Sequence, residues 1–135
     1  MYKYSPLPMD IVLGSQLIGE SKDCSVKALA IALGTSYRNA HRHLEVKCGR
    51  ARGRGIMSSQ VLPSSLKNTP YREGPYSRLN KVSISRFCRE HPKGRFYIAV
   101  SGHAIAVVDG VVFDTVDAPR RMVKWAIRLY PKGVD

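Results

Sequence analysis

The stretch SGHAIAVVDGVVFDT is almost wholly apolar, yet it carries a histidine, His103, and an aspartate, Asp114, inside its hydrophobic runs. The Asp109-Gly110 dipeptide predicts a two-residue hairpin turn, and the resulting register sets Asp114 across from Ile105. His103 then becomes a diagonal neighbour of Asp114 on one sheet face, about 7–8 Å away along the backbone. A carboxylate placed there can reach one imidazole nitrogen, fix the tautomer and leave the other nitrogen to take a proton. The spacing therefore predicts a general base and the residue that orients it.

Of the three cysteines, Cys24 has the best setting for a nucleophile, because it opens the helix predicted from DCSVKALAIALG. Unpaired N–H groups and the helix dipole at an N-terminus stabilise a thiolate and lower its pKa. The same N–H groups can hold an oxyanion. Cys48 falls beside a basic loop and Cys88 on the inward face of another predicted helix, so neither has this setting. The candidate catalytic residues are Cys24, His103 and Asp114.

Other assignments are open at the level of sequence. Cysteine, histidine and aspartate also suit zinc, although three such residues in this order favour catalysis, so neither a metal nor another cofactor is expected. Asp117 would orient the histidine if the hairpin register slipped, but its place near Pro119 is typical of a turn. His41 and His43 lie two apart on a predicted helix, roughly 200° around it, and cannot share a metal through one face.

Three helices are predicted to position these groups. The first follows Asp23 and ends at Gly34, the second is capped by Ser36, and the third spans Ser83 to His91. A shorter helix in SSQVLPSSL is a fourth candidate. The inward positions predicted from the helical period are Val26, Leu29, Ala30 and Leu33 in the first, Tyr37, Ala40 and Leu44 in the second, and Ile84, Phe87 and Cys88 in the third.

Four strands are predicted after the third helix, in RFYIAVS, HAIAVVD, VVFDTV and MVKWAIRLY. The last alternates apolar residues with Lys124, Ala126 and Arg128, which predicts that one of its faces is wet. Helices first and an antiparallel sheet of about four strands afterwards is an α+β layout. The chain length of 135 residues indicates a single domain, residues 1–135.

Charge is the strongest compositional signal, with a net +12 and a predicted pI near 10.0. Such a field favours nucleic acid, anionic lipid or an acidic protein as a partner. Its densest part is KCGRARGRG, either a phosphate-gripping loop or a solvated turn, with cations at Lys47, Arg50, Arg52 and Arg54. No run approaches the roughly 18 apolar residues of a membrane helix, so no membrane partner is expected. An odd number of cysteines at unrelated spacings fits a reducing cytoplasm.

The ordered motifs resemble the papain-like cysteine peptidases, with a cysteine opening a helix, then a histidine starting a strand, then an acidic or amide residue on the next strand. The "DC" before a small-residue helix and the later "GHA" look most like the leader-cleaving peptidases of bacteriocin exporters and like short bacteriophage-encoded papain-like proteins. The likeness covers Lys22 to Thr115. It implies a papain-like fold in which Cys24 is the nucleophile, His103 the general base and Asp114 the orienting residue.

The resemblance also implies an activity and a further site residue. Those peptidases carry an oxyanion-hole glutamine about six residues before the cysteine. This chain has Ile18 there, and Gln16 is the nearest substitute. The implied reaction is thiolate attack on an acyl carbon of a protein or peptide substrate, with hydrolysis through an acyl-enzyme. The basic surface favours an acidic substrate. A bacteriophage-encoded protein would act in the host cytoplasm. The alternative is a catalytically inactive papain-like module that binds nucleic acid or an acidic host protein through its basic surface.

Overall fold

The computed structural model describes residues 2–56, 62, 65–66, 72–77 and 82–130, with the backbone alone for 72–77. Among these residues, four helices have both ends described: α1 Met9–Ile18, α2 Cys24–Leu33, α3 Tyr37–Cys48 and α4 Ile84–Glu90. Eight strands lie at β1 Lys3–Ser5, β2 Arg72–Ser77, β3 Val82–Ser83, β4 Arg95–Val100, β5 His103–Val108, β6 Val111–Phe113, β7 Met122–Val123 and β8 Trp125–Tyr130. Most of the helix predicted in SSQVLPSSL lies outside the described residues; Leu62 and Ser65 are helical. The α+β class is confirmed.

The main sheet has six strands, in the order β1-β6-β5-β4-β8-β2, and β3 pairs with β7 in a second, two-stranded sheet. The hairpin register is the predicted one, because Val108 pairs with Val111. Asp109 and Gly110 form its turn with φ values of 49° and 79°. The sheet is wider than the predicted four strands and is not wholly antiparallel, because β1 pairs in parallel with β6. That edge strand comes from a segment with no strand prediction.

The last predicted strand is interrupted at Lys124, whose N–H bonds to the Ala99 carbonyl, so β7 and β8 enter different sheets. The prediction that one face of this strand is wet was wrong at Ala126, which is buried. Helix α4 covers that face, with Phe87 packed edge-on to Phe96 at 5.0 Å between ring centroids. Both faces of the sheet are therefore apolar.

Helix α2 is the central helix of the other layer and packs against β5. Eight of its ten residues are buried. It ends at Gly34, whose φ of 70° suits a residue without a Cβ. The guanidinium of Arg95 then donates to the Ile31 and Ala32 carbonyls, each at 2.9 Å. A helix held along its length and at its end keeps its first residue, Cys24, in a fixed place.

Helix α1 was not predicted from the sequence. It packs against α3 so closely that a Cβ on Gly14 would lie 2.7 Å from the Tyr37 Cβ. The other helices follow their predictions: α2 opens at Cys24, and Ser36 and Ser83 cap α3 and α4 through their hydroxyls. Their predicted inward positions are all buried. Among the residues that the structure describes, no helix is long and apolar enough to cross a membrane.

Candidate active site

The fold brings the three candidate catalytic residues together between the start of α2 and the open end of the β5–β6 hairpin. His103 Nε2 lies 2.7 Å from Asp114 Oδ1, and the buried carboxylate is 3% exposed. Cys24 lines the same cleft as His103, and the thiol and the imidazole interact closely enough to shift each other's pKa. The carboxylate, the imidazole and the sulfur thus adjoin one another in that order.

Two opposing effects act on the pKa of Cys24. Burial is the larger single influence and favours the neutral thiol, but hydrogen bonds from His103 and from the backbone N–H groups of Ala104 and Ser25 favour the thiolate. Together with the charge of the imidazolium, they bring the pKa of Cys24 below its ordinary value. This is the electrostatic setting of a nucleophilic cysteine.

His103 shows the complementary shift. The hydrogen bond to Asp114, followed by the one to Cys24, raises the pKa of His103 to about 9 although burial opposes the charged ring. The pairing favours a thiolate beside an imidazolium at neutral pH. Asp114 is itself fixed by the Thr115 N–H, which donates to Oδ1 at 2.7 Å, and by the Tyr4 hydroxyl, which donates to the Asp114 carbonyl at 3.0 Å. Strand β1 therefore supports the orienting residue.

Asp23, directly before Cys24, makes buried contacts that the sequence did not predict. It occupies the N-cap position of α2, but its side chain makes no cap hydrogen bond. Instead Oδ2 accepts from the hydroxyls of Ser15 and Tyr37, each at 2.7 Å, and Oδ1 pairs with Lys27 at 3.2 Å. The Asp23 carboxylate is thus directed into the protein and leaves the N–H groups at the start of α2 without a side-chain cap. Its interactions lower the pKa of Asp23 against the effect of burial.

A cleft of about 490 Å³ opens at this site. Its lining comes from the start of α2 and the segment before it, from the open end of the hairpin, from Leu7 after β1 and from Gly55 of the basic loop. The cleft is lined by Leu7, Lys22, Asp23, Cys24, Lys27, Ala28, Gly55, Gly102, His103, Ala104, Phe113, Asp114 and Thr115. The sulfur and the imidazole therefore face a space that a substrate can enter.

Gln16, the expected oxyanion donor, does not line the cleft. It is exposed on α1, whereas its neighbour Ser15 is the residue directed toward the site, through Asp23. Ile18, at the position where the resemblance calls for glutamine, packs against the core. The polar donors left near the sulfur are the backbone N–H groups at the start of α2, which a buried helix end presents without any side-chain signature.

The basic loop differs from the predicted patch at one of its four cations. Arg50 is 3% exposed and forms a bidentate ion pair with buried Glu20, at 2.8 and 3.2 Å. Glu20 also accepts from His41 Nε2 at 2.6 Å and from the Gly53 N–H at 2.9 Å. Lys47, Arg52 and Arg54 are exposed. Arg50 is thus an internal anchor for the loop, since a cation with a matched carboxylate can be buried.

The remaining polar candidates lie outside the arrangement of Cys24, His103 and Asp114. His43 contacts Ser65, and the Tyr2 hydroxyl donates to Asp117, which leaves Asp114 as the partner of His103. All three cysteines are free. Burial raises the pKa of Cys48, and raises that of Cys88 to about 11, so only Cys24 is shifted toward the thiolate.

Within the described residues, no group of three or more His, Cys, Asp or Glu side chains is placed to hold a metal ion. No protein-family model, curated protein or solved structure matches this chain. The site is therefore interpreted from its own geometry.

Proposed function

We propose that this protein is a small cysteine hydrolase that attacks an amide or peptide carbonyl through Cys24 and passes through an acyl-enzyme. The observation that carries the proposal is that Cys24 adjoins, in one cleft, an imidazole whose Nε2 is bound by a buried carboxylate. A nucleophile, its base and the orienter of that base are the three parts this chemistry needs. The papain-like resemblance of the sequence assigns the same roles to the same residues.

The first half-reaction would form the acyl-enzyme. The Cys24 thiolate attacks the acyl carbon, a sulfur–carbon bond forms, and the carbonyl oxygen becomes an oxyanion beside the N–H groups at the start of α2. When the oxyanion collapses, the bond to the amine breaks, and the His103 imidazolium gives its proton to the departing nitrogen. Asp114 stabilises the imidazolium until that proton leaves and keeps the ring oriented.

The second half-reaction would release the acyl group. Neutral His103 takes a proton from a water molecule, whose oxygen attacks the thioester carbon. The sulfur–carbon bond then breaks, the carboxylic acid product leaves, and the thiolate–imidazolium pair is restored. The cleft, with a volume of about 490 Å³, has room for a short peptide segment beside the sulfur.

The alternative, an inactive module that binds nucleic acid or an acidic protein, depends on the exposed cations of the basic loop. Arg50, one of its four, is internal and pairs with Glu20. Neither the inward-turned Asp23 nor the lowered pKa of Cys24 has a use in such a module. The geometry therefore favours the hydrolase.

Acylation by p-nitrophenyl acetate tests the proposal without knowledge of the natural substrate. We expect a burst of nitrophenol, an acetyl group on Cys24 detected by mass spectrometry, and slow turnover by deacetylation. Cys24→Ala should abolish the burst and His103→Ala should lower its rate by at least a hundredfold, whereas Cys48→Ala should match the wild type. Acetylation spread evenly over all three cysteines, or a burst that survives in Cys24→Ala, would exclude Cys24 as the nucleophile of a hydrolase.

A further inference from the structure

One cation in the lining of the cleft has no carboxylate partner among the described residues. Its two carboxylates are both engaged inside the protein, Asp23 with Ser15, Tyr37 and Lys27, and Asp114 with His103. Lys27 is matched by Asp23, so its charge is compensated within the wall. One lining cation is left, and it is Lys22.

Lys22 is exposed, and within the described part of the chain no carboxylate pairs with it. Its backbone has a φ of 49°, in the left-handed region that residues with a Cβ adopt rarely. Two buried carboxylates, Glu20 and Asp23, lie on either side of it in the sequence and fix this backbone through their hydrogen bonds. The unmatched ammonium group is therefore on a segment whose course is determined by the interior.

The basic loop also contributes to the lining of the cleft. Gly55 lines the cleft, and exposed Arg54 directly precedes it. The Gly53 N–H and the Arg50 guanidinium both bind Glu20, so one buried carboxylate holds this loop and the Lys22 segment together. No carboxylate of the described residues pairs with Arg54 either. Lys22 thus lines the cleft, and Arg54 directly precedes a lining residue on the loop that Glu20 ties to the Lys22 segment.

We infer that the cleft selects an acidic peptide, with a side-chain carboxylate beside the attacked bond lying between Lys22 and Arg54. The inference rests on the proposed function, since it names the substrate class of that same site. Unpaired cations at the rim of a partly enclosed cleft attract an anion and orient it. The lining also includes Leu7 and Phe113, which suit an apolar side chain on another part of the peptide.

Two alkylating reagents of nearly equal size test this charge preference at the sulfur itself. Iodoacetate is an anion and iodoacetamide is neutral, and with either one the Cys24 thiolate forms a sulfur–carbon bond while iodide leaves. The measured quantity is the ratio of the two rates at Cys24, followed by mass spectrometry on the full chain. The imidazolium of His103 attracts the anion equally in every variant, so differences between variants report the rim alone.

We expect the ratio of iodoacetate to iodoacetamide rates to fall roughly threefold in Lys22→Met and again in the double variant Lys22→Met/Arg54→Met. The matched control is Lys93→Met, which removes the same charge from an exposed site before β4, at the far end of that strand from Gly102. Its ratio should equal that of the wild type. High salt should reduce the wild-type ratio more than that of the double variant, in which only the attraction common to all variants is screened.

Two failures have different meanings. A ratio that stays at the wild-type value in both rim variants, while iodoacetamide still labels Cys24 rapidly, would overturn the charge preference and leave the hydrolase intact. Labelling of Cys24 by either reagent at the rate of an ordinary thiol, unaffected by His103→Ala, would overturn the hydrolase and the substrate class together.

Discussion

Glu20 and Arg50 meet in a bidentate ion pair beneath the segment that leads into Cys24, with side chains only 0% and 1% exposed. Removing one charge leaves the other buried without its partner, so Glu20→Gln should lower the free energy of unfolding by about 3–5 kcal/mol. Urea unfolding measures this loss. Glu90→Gln is the matched control, because Glu90 pairs with Arg86 on an exposed helix surface and should cost about 0.5 kcal/mol or less. Equal losses in the two variants would contradict an anchoring role for Glu20.

Asp114→Asn should move the acid edge of Cys24 alkylation to higher pH. The carboxylate is the main reason that the pKa of His103 lies at about 9, and without it the imidazolium stabilises the thiolate less. The iodoacetamide rate at pH 6 should fall roughly tenfold. Asp117→Asn serves as control, since Asp117 binds Tyr2 and not the imidazole. A larger effect in Asp117→Asn would show that the orienting residue is misassigned.

The charged form of His103 should stabilise the fold in a defined pH range. Its pKa is raised to about 9 from an ordinary 6.5, so its contribution is complete below about pH 6.5 and is lost as the pH rises toward 9. The stability of Cys24→Ala is compared with that of Cys24→Ala/His103→Gln. The Cys24→Ala change in both proteins removes the coupling of His103 to the thiolate. Asp114 still raises the pKa of His103 in this background, but the contribution of Cys24 is absent, so the stability difference should be complete below about pH 6.5 and should be lost before the pH reaches 9. A difference that is constant with pH would mean that His103 contributes by packing alone.

Gly14→Ala should destabilise the protein although alanine is the better helix former. Because the new Cβ would lie 2.7 Å from the Tyr37 Cβ, α1 and α3 must separate, at a cost of about 1–3 kcal/mol. Thermal unfolding should show a midpoint several degrees lower. Gly55→Ala is the control, since a Cβ there meets no atom within 4 Å. An unchanged midpoint in Gly14→Ala would contradict the close approach of the two helices.

The local sequence was enough to predict the elements that have a regular spacing of apolar residues or a turn dipeptide. Helix α2 has its apolar stripe and Gly34, and the hairpin has Asp109-Gly110, so both were predicted with their ends nearly in place. The catalytic candidates lie on these two elements. The His103–Asp114 pair could be predicted because both residues lie on one hairpin, whose turn fixes the register. Cys24 reaches this pair because α2 packs on β5.

The missed features depend on contacts between distant residues. Helix α1 exposes Met9, Leu13 and Leu17, so its pattern lacks a clear inward stripe. Arg50 looks like a surface cation because its partner, Glu20, lies 30 residues away. No hairpin turn in the sequence indicates the parallel edge strand β1, because its partner β6 lies more than 100 residues later, at Val111–Phe113.

The pairing of Lys3 with Val111 gives the site an order of assembly. During synthesis Cys24 emerges long before His103 and Asp114, and its sulfur is an ordinary thiol until the hairpin reaches it. Strand β1 cannot dock, nor can Tyr4 hold the Asp114 carbonyl, before β6 exists. The lowered pKa of Cys24 is thus acquired only after the hairpin has been synthesised and has folded against α2.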